Sequence, residues 1–198
     1  YEFRSKTDVF VKGTYSMIDF DNVDPIVLQK RDSDIFSASV GISHRPTAKT
    51  EATIGAGYIV ENFDNNAFGS VDGFMVNGVL AWDVTPLTTI TGRVERRIDQ
   101  STDANASSEL VWNGLLGVSH QLRRNVVLGG DVGYSNRLFE GRASNREDDR
   151  YQARAKADYY INRNFSVGAQ YSFARRISNI ANSGYTENRV QATVTARF

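Results

Sequence analysis

From about residue 7 to its end, the sequence alternates apolar and polar side chains in runs of roughly ten residues, and no other feature constrains its fold as tightly. The runs fall at about 7 to 18, 34 to 44, 50 to 61, 73 to 83, 88 to 98, 108 to 120, 126 to 137, 149 to 160, 165 to 174 and 187 to 198. Successive side chains of a strand point to opposite sides, so each run has one apolar and one polar face. Almost nothing fits the helical repeat. No apolar run reaches the roughly 18 residues of a membrane-crossing helix. The chain therefore reads as all-β.

Short connections ("RPTAK", "VTPL", "LRRN", "INRN") alternate strictly with long polar ones such as "NFDNNAFGSVD" and "RRISNIANSGYTE". Pro46, Pro86, Arg124 and Arg163 mark the short turns at intervals of about 39 residues, the period of a repeated hairpin. A propeller blade has a similar period but holds four short strands, whereas each repeat here has two longer strands and one long loop. A hairpin meander fits.

One face reads Ala52, Ile54, Ala56, Tyr58, Val60; Phe74, Val76, Gly78, Leu80, Trp82; and Val126, Leu128, Gly130, Val132, Tyr134. The other is polar or tiny. In a soluble sandwich the apolar faces would meet each other, and in a transmembrane barrel they would meet lipid. Aromatic placement decides. Phe36, Tyr58, Phe74, Trp112, Tyr134, Tyr151 and Phe173 stand on the apolar face near the long loops, and Trp82, Tyr159, Phe165 and Phe198 near the short turns, with Tyr171 on the same face. A core would centre its largest rings, whereas a membrane wall sets them in two interfacial girdles. The sequence predicts a transmembrane antiparallel up-and-down β-barrel, about ten strands in this chain, within one domain over 1–198 in the outer membrane of a Gram-negative bacterium. Outer-membrane lipids and lipopolysaccharide are its expected surroundings. The last strand is expected to pair with the first, leaving no edge, with Phe198 at the periplasmic rim.

With 23 basic and 23 acidic residues, nothing in the net charge points to nucleic acid. His44 and His120 both fall at short-turn ends, with no Ser or Asp matched to either as a catalytic set, so no enzyme is expected. Asp19, Asp21 and Asp24, or Asp64 with Asn65, Asn66 and Asp72, offer oxygen ligands without the spacing of a calcium loop. No metal or cofactor is expected.

The inward set is charged: Glu51, Glu61, Asp83, Arg93, Glu95, Arg97, Glu109, Asp131, Arg137, Arg150, Arg154, Lys156, Asp158, Arg189 and Arg197. Such groups pair or line water. Two arrangements stay open. A basic ladder of Arg150, Arg154 and Lys156 beside Arg137 and Arg189 would select anions; pairing of Arg154 or Lys156 with Asp131, Asp158 or Glu109 would brace the wall. Ten strands would leave a narrow, occluded bore. Arg96 and His120 fall on the outer face near opposite ends, where they are expected to meet lipid phosphate.

The ending "NRVQATVTARF" resembles the signal that outer-membrane proteins present to their barrel assembly machinery, with Gln191, Val194, Ala196 and Phe198 in place and Thr193 where Gly is usual. The last fifty or so residues also resemble the putative β-barrel porin 2 family, through Arg146 and Asp149, Tyr160 and Asn162, Tyr171, Arg176, Ser178 with Asn179, and the strand from Asn188 to Phe198. Members have longer chains, so both a ten-stranded barrel and the C-terminal part of a larger one stand as readings. The resemblance implies a porin-like channel or the barrel of an exopolysaccharide export system, with polysaccharide or an export component as partner. A non-conducting barrel whose long loops bind a partner, matrix or glycan is the alternative.

Overall fold

The computed structural model describes residues 6–23, 28, 30–65, 70–101, 106, 108–140 and 145–197. Ten strands follow one another: β1 (Thr7–Ile18), β2 (Ser33–Thr47), β3 (Thr50–Phe63), β4 (Ser70–Thr85), β5 (Thr88–Gln100), β6 (Ser108–Arg123), β7 (Val126–Glu140), β8 (Glu147–Tyr160), β9 (Phe165–Ser178) and β10 (Tyr185–Ala196). They form one antiparallel sheet in chain order, as the alternation predicts. Strands run from 12 to 16 residues; β2 to β9 are longer than the predicted runs because pairing continues past the apolar band, whereas β1 and β10 have the predicted length.

The short turns are built by their own side chains. Thr47 donates its hydroxyl to Thr50 at 3.2 Å and accepts from the Lys49 amide at 3.2 Å. Thr85, Thr88 and Leu87 repeat this at 3.0 and 3.2 Å. In the last short turn the Asn162 side chain accepts from the amides of Asn164 (2.8 Å) and Phe165 (2.9 Å), the local bonding that suits Asn to turns.

The register lines up the two faces. Leu80, Gly92, Leu116, Val132 and Ala153 stand in one cross-strand row on the apolar face, and Thr53, Val79, Arg93, Leu115 and Gly133 in one on the other. The molecule is inside out. Apolar-face residues are its most exposed large hydrophobics, with Val11 82%, Phe74 70%, Val132 56% and Val194 73% exposed. The buried polar groups Ser37, Ser39, Glu61, Glu109 and Asp148 stand on the opposite face.

One expectation is corrected. The last strand does not pair with the first: among the described residues β1 pairs with β2 alone and β10 with β9 alone, so no ladder between them closes the sheet. Alternation fixes which way each side chain points, whereas closure depends on coiling and stagger, which alternation does not encode. The sheet is also not uniform at its long-loop end. β4 and β5 pair from Thr85↔Thr88 only as far as Val76↔Arg96. β3 and β4 stay paired to Asn62↔Ser70, and β5 and β6 to Gln100↔Ser108.

A small apolar core fills the gap. Ile59, Phe63 and Val71, with Ile35 and Met75 beside them, are polar-face residues of β2 to β4; Ile98 and Leu110 are apolar-face residues of β5 and β6. The end of the β5–β6 hairpin has thus rolled so that its apolar face covers the polar face of β2 to β4.

Candidate functional site

The charged face is the feature that carries chemistry, and neighbouring strands place its groups in pairs. Asp131 and Arg154 are direct cross-strand partners on β7 and β8, and the guanidinium donates to the carboxylate at 2.9 Å. Arg137 reaches Glu109 on β6 at 3.3 Å. Arg97 lies between Glu95 and Asp99 of its own strand, 2.6 Å from each. Lys156 sits 3.7 Å from Asp158, Arg189 is 2.6 Å from Glu187, and Glu51 is 2.9 Å from Arg45. Of the predicted inward cations, Arg93, Arg150 and Arg197 have no ion pair among the described residues, and Arg150 stands directly opposite Arg176. Of the two sequence readings, the braced wall is what forms around Arg154. The predicted basic ladder is interrupted by carboxylates.

In this face lies an open recess of about 360 Å³, walled by Thr89, Thr91, Ser119, Asp131, Arg154, Lys156 and Gln170 together with the apolar Leu115 and Val118. Its floor is low because Gly117, between Thr91 and Asp131 in the polar-face row, contributes no side chain. Hydroxyl, amide and paired charge stand side by side there, a lining that suits water and hydrophilic solutes.

Near the long loops, Asp148 is almost fully buried beside Arg146 (2.7 Å) and Arg176 (3.8 Å). Burial alone would push its carboxyl up, but hydrogen bonds from Arg146 and Ser178 and the charges of Arg146 and Arg176 outweigh it and hold the group below the ordinary carboxylate range. At the opposite end, the Nδ1 atoms of His44 and His120 each bond the hydroxyl of a threonine directly across the ladder, Thr7 at 2.8 Å and Thr88 at 2.9 Å. His120 and Arg96 do sit on the apolar face. Arg96 donates to the Phe74 carbonyl at 2.5 Å and lies over the Trp112 ring, 5.6 Å from its centre.

The aromatic residues occupy the apolar face as predicted, and those near the long loops form a pattern that the sequence reading missed. Tyr15 donates its hydroxyl to Asp34 at 3.0 Å, Tyr58 to Asp72, Tyr134 to Asp149 at 2.6 Å and Tyr171 to Asn188 at 2.7 Å. The geometry is one repeat. Each tyrosine is on the first strand of a long-loop hairpin, and its acceptor lies two residues loopward of its cross-strand partner, which is Phe36, Phe74, Tyr151 and Val190 respectively. Rings pair in the same row: Tyr58 meets Phe74 edge-on at 5.5 Å and Tyr134 meets Tyr151 at 5.2 Å. The signal in the sequence is Asp-x-aromatic at the start of β2, β4 and β8. On β10 the same places hold Asn188 and Val190, and the β5–β6 hairpin lacks the tie, with Arg96 in the tyrosine's place and Leu110 in the acceptor's. On the last strand, Gln191 faces inward opposite Gln170, and Val194 and Ala196 face outward; Phe198 lies outside the described residues.

The ten strands run up and down in chain order, and a family model for a beta-barrel porin matches the same chain over residues 1–198. The chain belongs to the Putative beta-barrel porin 2 family. No curated protein matches it. Among solved structures it is similar to the toluene transporter TodX of Pseudomonas putida, at 14% identity and a TM-score of 0.45 over 97% of this chain and 69% of that one. A deltaS2 mutant of the TodX monoaromatic hydrocarbon channel aligns at 12% identity and a TM-score of 0.47, with the same coverage of each chain. The NanC porin aligns at 10% identity and a TM-score of 0.45, over 96% of this porin-family chain and 99% of NanC.

Proposed function

We propose that this chain forms the wall of a passive channel in the bacterial outer membrane, carrying small hydrophilic solutes with little preference for charge sign. The observation that carries the reading is the inversion of the sheet: exposed Val, Leu, Phe and Tyr outside, paired charges and a hydrophilic recess inside. An apolar exterior between two aromatic rows suits lipid, with lipopolysaccharide around the outer row. A charged interior suits water. Because Asp131, Glu95, Asp99 and Glu109 stand against Arg154, Arg97 and Arg137, the interior offers ions of either sign nearly equal reception. A polysaccharide strand would find hydroxyl and amide partners at Thr89, Thr91, Ser119 and Gln170, and export of such a strand is the finer form of the same reading. The last strand, with Gln191, Val194, Ala196 and Phe198, is proposed to engage the barrel assembly machinery.

The deciding experiment is reconstitution of the purified protein into planar bilayers under a potassium chloride gradient. Steady conductance steps with a reversal potential near zero are expected. A correctly inserted barrel that stays silent would replace the channel by the wall's other use, a surface whose long loops bind a partner. A reversal potential close to the chloride limit would restore the basic-ladder reading.

A further inference from the structure

We infer that the loop end of the β5–β6 hairpin is an inward-folded barrier across the passage, seated on the inner wall of β2 to β4 rather than standing upright with the other hairpin ends. Only the word passage rests on the channel reading; the position of the hairpin end stands on geometry.

Three contacts join faces that an evenly curved sheet would keep apart. Ile98 and Leu110, on the apolar face by register, are buried against Ile59, Phe63 and Val71, which are on the polar face. Ser108, again on the apolar face, donates to the carboxylate of Glu61 on the polar face of β3, and Ser33 donates to the same carboxylate at 2.9 Å. A Cβ added at Gly73, on the polar face of β4, would lie 3.5 Å from the Leu110 side chain. Two carbonyls just past the strand ends, those of Ser101 and Ala106, accept from Arg31, which precedes β2. The ladder opens to permit this. Had β4 and β5 continued in the register they keep at Val76↔Arg96, Phe74 would face Ile98; instead Arg96 spans the gap to the Phe74 carbonyl.

The residues of this hairpin fit an inner seat and no other. In the remaining hairpins a tyrosine and an Asp or Asn tie the two strands together, and in three of them, with Tyr15, Tyr58 and Tyr134, they do so at the level where rings meet headgroups. Here the acceptor position holds Leu110, which is 8% exposed, and Ser108 beyond it is fully buried. Upright, Leu110 would replace a polar group at the interface, and Glu61 would lose its cover. Seated, the leucine fills the core and the carboxylate gains a hydroxyl, which matters because a buried carboxylate is costly unless hydrogen-bonded. The barrier's other face carries Val111 and Glu109, both buried, toward the interior.

The chain has no cysteine, so an engineered thiol pair is unambiguous. The Gly73→Cys, Leu110→Cys chain, folded into native outer membranes, should be joined by a short thiol-to-thiol cross-linker. In an upright hairpin the two positions would face opposite sides of the sheet on strands that are not neighbours. In bilayers the cross-linked protein should conduct like the parent, whereas Arg96→Tyr with Leu110→Asp, which restores the tyrosine tie and should stand the hairpin up, should raise single-channel conductance several-fold. Steady parental conductance with no cross-link overturns the inference and leaves the channel intact. So does unchanged conductance in the tie-restored protein. A cross-link formed in a barrel that is silent throughout places the barrier where we infer it and removes the channel reading instead. The cross-link also stands alone as a test should the tie-restored chain fail to fold.

Discussion

Placing an arginine at Ala155 tests which solvent the apolar face meets. Ala155 is exposed on β8, four residues from Tyr151 and four from Tyr159, which belong to the two aromatic rows. At about 3.4 Å per residue and a tilt near 40°, each row lies roughly 10 Å away along the membrane normal. That distance outruns what a snorkelling guanidinium covers without deforming the bilayer. A basic residue at the midplane of a barrel's lipid face costs about 2 to 4 kcal/mol. Tyr171, directly across the ladder, offers a ring face worth up to about 1 kcal/mol, so a net loss of roughly 2 to 3 kcal/mol is expected. That is about a 30- to 150-fold change in the folding equilibrium. The matched control is Thr53→Arg on the polar face, which loses the 3.0 Å bond from Thr53 to the Ser43 hydroxyl and should cost about 1 kcal/mol. Reversible urea unfolding from phosphocholine vesicles, followed by the fluorescence of Trp82 and Trp112, measures both. Equal losses, or a larger loss at Thr53, would mean that the apolar face is covered by protein and the wall has been read the wrong way round.

Three further outcomes follow from named contacts. Asp131→Asn frees the charge of Arg154 and should move the reversal potential toward chloride, Arg154→Gln should move it toward potassium, and the double variant should return it to the parental value. Because the Asp148 carboxyl is held below its ordinary value of 3.8, its contribution to stability is complete above that pH and disappears as pH falls through the lowered folded-state value. Unfolding midpoints of the parent and of Asp148→Asn should therefore differ at neutral pH and converge in acid. Removal of Phe198 should depress insertion in cells far more than refolding into detergent, since the terminal residue is expected to serve recognition by the assembly machinery; equal defects in both would assign it to stability.

Most of the wall was legible because a strand's repeat is short and its two faces have opposite needs. A residue such as Val132 declares its side through its neighbours at two-residue spacing, and a whole strand such as β7 declares it many times over. The short turns were legible for a related reason: Pro86 and Asn162 carry their own turn chemistry. Charge pairing was legible only as a set of candidates. Asp131 and Arg154 share a face by parity, but that they meet depends on the register of β7 against β8, which is set by the intervening loop and is not written in either strand. Closure was not legible at all. The amphipathic pattern of β10 is the same whether its free edge meets β1, another strand or nothing.

The seating of the β5–β6 end shows the limit of parity most clearly. Alternation is unchanged when the end of a hairpin rolls inward as a unit, because Ile98 and Leu110 keep their spacing and only the surface they face is exchanged. What betrays the roll is a comparison between hairpins rather than within one. Four of them place a tyrosine and an Asp or Asn in fixed columns of the ladder, and in the fifth those columns hold Arg96 and Leu110. A leucine where its counterparts accept a hydrogen bond has no reason to stand at the headgroup level and good reason to be buried. An arginine in the tyrosine's column, by contrast, is long enough to reach the unpaired carbonyl that an opening ladder leaves behind on β4. The two departures are therefore one event, and the sequence records it as a pair of substitutions in a repeat that the individual strands do not reveal.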